Sequence, residues 1–231
     1  MIERTMARPL LALLHLCDSL FPIGSFGYSD GLEAATAAGL VETSADLQAW
    51  LNVCLDEVVG RMDGPAALRA WCAFDREEWE AVCEVDEEIT AMRPSFATRR
   101  SSRAMGLRLV TTWAALYPER RLAYLLDLAR RQSLGPALPV AFGCACASAG
   151  VGVRDTGAAF AYTRLGSTTS AALRLMRIGQ TDAHVLLANT LGRVPAVVEA
   201  MTTRSRPESF TPAMDVSAMT QQYLHSRLFR S

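Results

Sequence analysis

The sequence predicts an all-α protein, a single-domain helical bundle of about ten helices with a mobile C-terminal tail. Three observations carry that reading. Apolar residues recur at helical spacing along most of the chain, no stretch alternates as a strand does, and capping residues fall where the helical patterns begin. With 231 residues, half of them apolar, the chain can fill one hydrophobic core. The bundle is placed in residues 1–192, and a linker with a docking tail in 193–231.

Taken in order, Leu10, Leu13, Leu14 and Cys17 mark the first helix. Arg4 and Arg8 ahead of it give a faint likeness to a secretion signal. The apolar run is short, contains His15 and lacks a small-x-small cleavage pattern, so a cytoplasmic location is expected. Residues 18–33 read as a helix end, a turn at Pro22 and Gly24, and a new helix that Ser25 or Ser29 can cap. Phe21, Phe26 and Tyr28 cluster around glycines there, which suits either close packing of two helices or an aromatic surface for a partner.

Thr43 and Asp46 form a capping-box-like start for the stripe Leu47, Trp50, Leu51, Cys54, Leu55 and Val58, and Gly60 is the expected stop. Further helices are expected over 64–74, 75–89 (started by Asp75 with Glu78), 95–116, 119–132, 139–149, 155–178 and 181–191. The uncharged stretch 133–153 is long enough to span a bilayer. Pro136, Pro139 and its small residues make it a buried helix instead, and no membrane is expected as a partner. Arg174 and Arg177 fall in the last turn of a long helix, with Gly179 as its C-terminal cap and Thr181 capping the next. The helix dipole stabilises such arginines by about 0.3–1 kcal/mol, so their presence has a structural explanation.

Beyond Gly192 the composition turns to Pro, Ser, Thr and Arg, as in 203–212, and lacks the apolar density that would offset the entropy of ordering it. A mobile linker is expected. Residues 213–230 form an amphipathic piece with Met214, Val216, Met219, Tyr223, Leu224, Leu228 and Phe229 available for burial. Composition leaves open whether it folds back on its own bundle or docks on a partner. Residues 75–88 are acidic and 93–108 basic, as solvated faces or as a mutual pair.

The chemistry available is narrow. The formal net charge of −1 removes the electrostatic footprint of a nucleic-acid binder. All the positive charge is arginine, so Schiff-base chemistry and the lysine of a phosphate loop are excluded. Near neutrality with high apolar content favours association. Cys17, Cys54, Cys72, Cys83, Cys144 and Cys146 lie mostly on apolar stripes and read as reduced core residues. His15, His184 and His225 are scattered, and His15 with Cys17, like Cys144 with Cys146, is spaced two apart, which on a helix points to different faces. No triad, nucleophile elbow or phosphate loop is present, so neither catalysis nor a cofactor is expected.

Pro22-Ile23-Gly24-Ser25-Phe26-Gly27-Tyr28-Ser29-Asp30-Gly31-Leu32-Glu33 resembles the proline-x-glycine-x-aromatic-x-aromatic-serine-x-glycine-leucine-glutamate signature of the urease accessory protein F (UreF) family. Leu175-Met176-Arg177-Ile178-Gly179-Gln180-Thr181-Asp182 is similar to the family's second block. Arg227-Leu228-Phe229-Arg230-Ser231 is similar to its ending. The resemblance implies a homodimeric, all-helical chaperone that bridges a UreD/UreH-type accessory protein and a UreG-type GTPase, so that nickel reaches apo-urease. It implies partner binding by Phe26, Tyr28, Arg174, Arg177, Gln180, Tyr223, Arg227, Leu228, Phe229 and Arg230, with the tail ordered against the UreD-type partner. The chain departs from the family pattern with Gln221-Gln222 in place of the usual histidine-glutamate, and His225 in place of tyrosine. Two other readings are a direct nickel carrier with His and Cys ligands, and a helical hydrolase or transferase using Cys, Tyr and Glu side chains.

Overall fold

A computed structural model of the chain describes residues 9–204 and 206–230. Arg4, Arg8 and Ser231, which entered the sequence reading, lie outside those residues. The described residues form α1 (Pro9–Cys17), α2 (Leu32–Ala37), α3 (Ser44–Val53), a π-helical stretch (Cys54–Asp63), α4 (Gly64–Asp75), α5 (Trp79–Ala91) and α6 (Phe96–Leu116). They continue with α7 (Arg120–Arg130), α8 (Leu138–Ser148), α9 (Val153–Leu175), α10 (Gln180–Leu191), α11 (Val194–Thr202) and α12 (Pro212–Thr220). Two 3-10 turns, Ser25–Gly27 and Gln221–Tyr223, complete the set, and no strand occurs among the described residues. The chain is all-α, as expected.

The core is built around α8. Every residue from Leu138 to Ala147 is buried, with α4 and α6 along its sides and α5, α7 and α9 closing on it. Small residues make this possible. A Cβ on Gly143 would fall 2.1 Å from the Ala67 carbonyl oxygen, so the α4 backbone runs against α8 at a separation only glycine permits. The polar ends of two indoles, Trp113 buried and Trp71 half-buried, are satisfied near the end of α8, where Trp113 donates to Ser148 Oγ at 2.9 Å and Trp71 to the Val151 carbonyl at 2.9 Å. The uncharged stretch 133–153 is thus a buried helix. No helix among the described residues is long and apolar enough to cross a membrane.

Thr43 and Asp46 make the expected capping box, Asp46 N–H donating to Thr43 Oγ1 at 3.2 Å and Thr43 N–H to Asp46 Oδ2 at 2.8 Å. Gly60, in contrast, does not end a helix. Backbone dihedrals stay right-handed helical at both ends of the π stretch, so α3, that stretch and α4 form one continuous rod. Gly60 instead admits α11, for a Cβ there would lie 2.9 Å from Val197 Cγ1. Asp75 closes α4, and α5 starts after Glu78. Likewise α9 stops at Leu175, short of Arg177, and Gly179 precedes α10 in an extended conformation without capping α9.

After Gly192 the chain is more ordered in form than its composition suggested. Val194, Val198 and Met201 recur at helical spacing, and α11 buries them against α9, α4 and the π stretch. α12 lies on α2 and α6. The acidic and basic stretches form no ion pair with each other among the described residues. Arg93 pairs with Asp63 at 2.5 Å and Arg69 with Glu88 at 2.5 Å, while Asp86 accepts from Gly135 N–H (3.0 Å) and Ala137 N–H (2.6 Å).

Candidate interaction surface

The link between α1 and α2 is shaped by its own hydrogen bonds. Asp18 Oδ1 accepts from Leu20 N–H at 2.8 Å, the Asp18 carbonyl from Phe21 N–H at 2.9 Å, and Ser25–Gly27 close a 3-10 turn through Gly27 N–H to Gly24 O at 3.1 Å. Gly31, with φ of 89°, is the residue that caps α2. Ser29, one of the two serines expected to cap this helix, does take up Glu33 N–H through Oγ at 3.4 Å. The need for glycine at 31 is twofold: its left-handed backbone, and α12, whose Ala218 nitrogen would sit 2.8 Å from any added Cβ.

Glu33 is the centre of the surface. Its carboxylate is buried, yet it accepts Gln221 Nε2–H at 3.1 Å, Phe229 N–H at 3.2 Å and the N–H of Leu228. Gln221 is buried too and accepts from Ser29 Oγ–H at 3.2 Å. Further along the tail, Arg230 N–H donates to the Gly27 carbonyl at 2.7 Å. Arg174 joins all three parts: its guanidinium donates to the Phe26 carbonyl at 2.8 Å and lies 4.2 Å from the centroid of the Phe229 ring, which is 3% exposed. The tail therefore lies back on its own bundle, held by a buried carboxylate, a cation–π contact and an apolar plug.

An apolar groove of about 970 Å³ opens beside this clasp, lined among others by Leu13, Leu14, Phe26, Tyr162, Arg174 and Phe229. Leu10, Leu11, Leu14 and Leu20 stand exposed along α1 and the turn that follows it. Also lining the groove, Arg164 meets Asp30 at 2.6 Å, its side chain only 11% exposed. Burial works against the Arg164 charge, but the carboxylates of Asp30 and Asp63 more than offset it and hold the guanidinium charged.

Of the residues marked in the sequence, Phe26, Tyr28, Arg174, Phe229 and Arg230 converge on the clasp or groove, and Leu228 joins through its backbone. Tyr223 and Arg227 are exposed on the tail, and Arg177 and Gln180 are exposed at the break between α9 and α10. Sequence reasoning missed the pairing roles of Glu33, Gln221 and Ser29, and the Arg164–Asp30 pair. The sequence signal for Glu33 was a lone acidic residue followed by alanines; Gln221 and Arg164 carried none.

The histidines and cysteines do not gather. His15 Nδ1 is 2.8 Å from Tyr117 Oη within a cluster of Phe21 and Trp113, while His184 and His225 are exposed elsewhere. Among the described residues no three His, Cys, Asp or Glu side chains converge as a metal-holding group. Burial pushes the Cys17 and Cys54 thiols up to about 11, and those of Cys144 and Cys146 higher still, so they are poor nucleophiles at neutral pH.

A family model described as UreF matches residues 41–191. The chain belongs to the UreF family. It is 36% identical over 160 residues to the urease accessory protein UreF of Methylibium petroleiphilum, a match covering 68% of this chain and 66% of that relative. The UreF protein of Delftia acidovorans is 36% identical over 147 residues, 60% of each chain. That of Lachnoclostridium phytofermentans is 33% identical over 134 residues, 57% of this chain and 59% of the relative. The chain thus spans about three fifths to two thirds of the length of these relatives. The matched model includes Arg174, Arg177 and Gln180; the Ser25–Gly27 turn and the tail that it meets lie outside the matched residues.

Proposed function

We propose that this chain is a urease accessory protein, a non-catalytic cytoplasmic scaffold for inserting nickel into apo-urease. Its partners in this reading are a UreD/UreH-type accessory protein and a UreG-type GTPase, and it reaches urease through that complex. One observation carries the reading beyond family membership. Stretches that resemble family blocks, far apart in the chain, meet around Glu33 and Arg174. Phe26, Tyr223 and Leu228 present exposed apolar side chains around that junction, as a docking surface requires. The homodimer contact in this reading is the apolar groove together with the exposed leucines of α1 beside it, Leu10, Leu11 and Leu14, of which Leu14 lines the groove.

Co-expression with the cognate UreD/UreH-type and UreG-type proteins tests the scaffold. A complex that co-purifies, together with urease that lacks nickel when this chain is deleted, is the expected result. No complex and unchanged urease nickel content would remove the proposal. Stoichiometric nickel binding by the isolated chain in equilibrium dialysis would make it a carrier instead.

A further inference from the structure

α6 carries a charge pattern that neither the clasp nor the groove uses. Its 21 residues include Arg99, Arg100, Arg103 and Arg108 and no carboxylate. The inward face, with Met105, Leu109, Val110 and Trp113, is buried in the core. Phe96, Arg100, Arg103 and Leu107 follow the i, i+4, i+7, i+11 spacing of one helix face and are all exposed, Phe96 by 71% and Leu107 by 46%. At 1.5 Å per residue that stripe is about 16 Å long.

The arginines of the stripe differ from those beside it on α6. Arg99 turns back to the Pro94 carbonyl (3.1 Å) and Arg108 to the Ile23 carbonyl (3.2 Å). Several exposed arginines on other elements are matched, Arg120 with Glu77, Arg131 with Asp127, Arg154 with Glu199 and Arg193 with Asp56, while Arg130 and Arg177, like the stripe, form no ion pair among the described residues but stand singly. Arg100 and Arg103 form no ion pair among the described residues. The Arg103 guanidinium lies over Gly135 and lends its field to the buried Asp86, whose carboxyl burial holds above the ordinary range.

We propose that this stripe docks on an acidic face of a partner protein, Arg100 and Arg103 meeting carboxylates and Phe96 and Leu107 seated on apolar side chains at either end. Guanidinium forks bind carboxylates in a bidentate manner, and arginine with aromatic residues is enriched where protein interfaces exclude water. A second copy of this chain fits less well. Its acidic helix α5 exposes Glu80, Glu84 and Glu87 at matching spacing, but no large apolar side chain to receive Phe96 or Leu107. An anionic membrane needs a continuous apolar face, which two residues at the ends of an arginine pair do not make. Nucleic acid is disfavoured by the net charge of −1.

The accessory-complex reading enters only through the choice of probes: the purified cognate UreD/UreH-type protein, the UreG-type GTPase and apo-urease, each titrated with the full chain at low and high salt. The double variant Arg100→Glu/Arg103→Gln is expected to lose roughly tenfold or more in affinity for one of the three, and to flatten its salt dependence. Arg100→Lys/Arg103→Lys restores part of that loss, and the melting midpoint stays as in the parent. Phe96→Ser, outside the core, weakens binding to the same protein and keeps the test valid should the double variant fold poorly. Unchanged affinity of the variants for all three probes overturns the stripe alone. So does a loss confined to self-association, or to vesicles of phosphatidylglycerol and phosphatidylcholine. A parent chain that binds none of the three overturns the accessory reading as well.

Discussion

Glu33 places its carboxyl group where one without partners would be costly, and the donors around it are what make the position tenable. Glu33→Ala strands the N–H groups of Leu228 and Phe229 and the Gln221 amide. A loss of about 1–3 kcal/mol is expected, with amide exchange rising in the tail before it rises in α8; uniform exchange across both would contradict the assignment. Gln221 also accounts for its own departure from the family pattern. Its amide donates to Glu33 and accepts from Ser29, the one-donor, one-acceptor service that a neutral imidazole gives. None of this was legible in the sequence, because the partner of Glu33 lies 195 residues away. The thiols were legible as core residues and carry a pH signature. In the unfolded chain Cys17 and Cys54 titrate near the ordinary 9.0, and in the folded chain near 11. Their contribution is therefore complete below pH 9 and is lost as the pH rises toward 11, the unfolded thiols ionising first. The alkaline fall in the denaturation midpoint should be smaller in Cys54→Ala than in the parent.

Among the elements, those with a clean apolar stripe and a capping residue were readable. Thr43 to Val53 is the best instance, its capping box and buried Leu47, Trp50 and Leu51 all present. Ends set by neighbours were not. Gly60 reads as a stop because glycine ends helices in isolation, whereas here the missing side chain makes room for Val197. α11 was hidden because a Pro- and Arg-rich average masked the Val194, Val198, Met201 spacing. Gly31 links two elements at once. Gly31→Ala must adopt a left-handed backbone and push α12 away, at a cost of about 1–3 kcal/mol. Limited proteolysis should then cut between α11 and α12 sooner than in the parent, and an unchanged cleavage rate would argue that α12 does not depend on this contact.

For the molecule as a whole, the helical class followed from periodicity, and the uncharged α8 was correctly placed in the interior. What composition could not supply was which surfaces stay open once the helices pack. Leu10 and Leu14 belonged to a helical stripe in the sequence, and the fold leaves both, with Leu11, exposed while burying Ala12 and Leu16. If the groove is the dimer contact, Leu11→Asp with Leu14→Asp should yield a monomer by light scattering with little change in melting midpoint, since neither side chain is buried in the protomer. A dimer that persists would move the contact elsewhere. The π-helical stretch sets a further condition at this scale. Each of its turns takes up one residue more than an α turn, so Cys54–Asp63 acts as a phase shifter between α3 and α4. Removing one residue there would force the stretch to rewind and change the direction in which α4 presents its buried face relative to α3. The fit of Ala67 to Gly143 would be lost without any change to the residues that make it. The length of this short stretch, more than its composition, keeps the two halves of the rod in step.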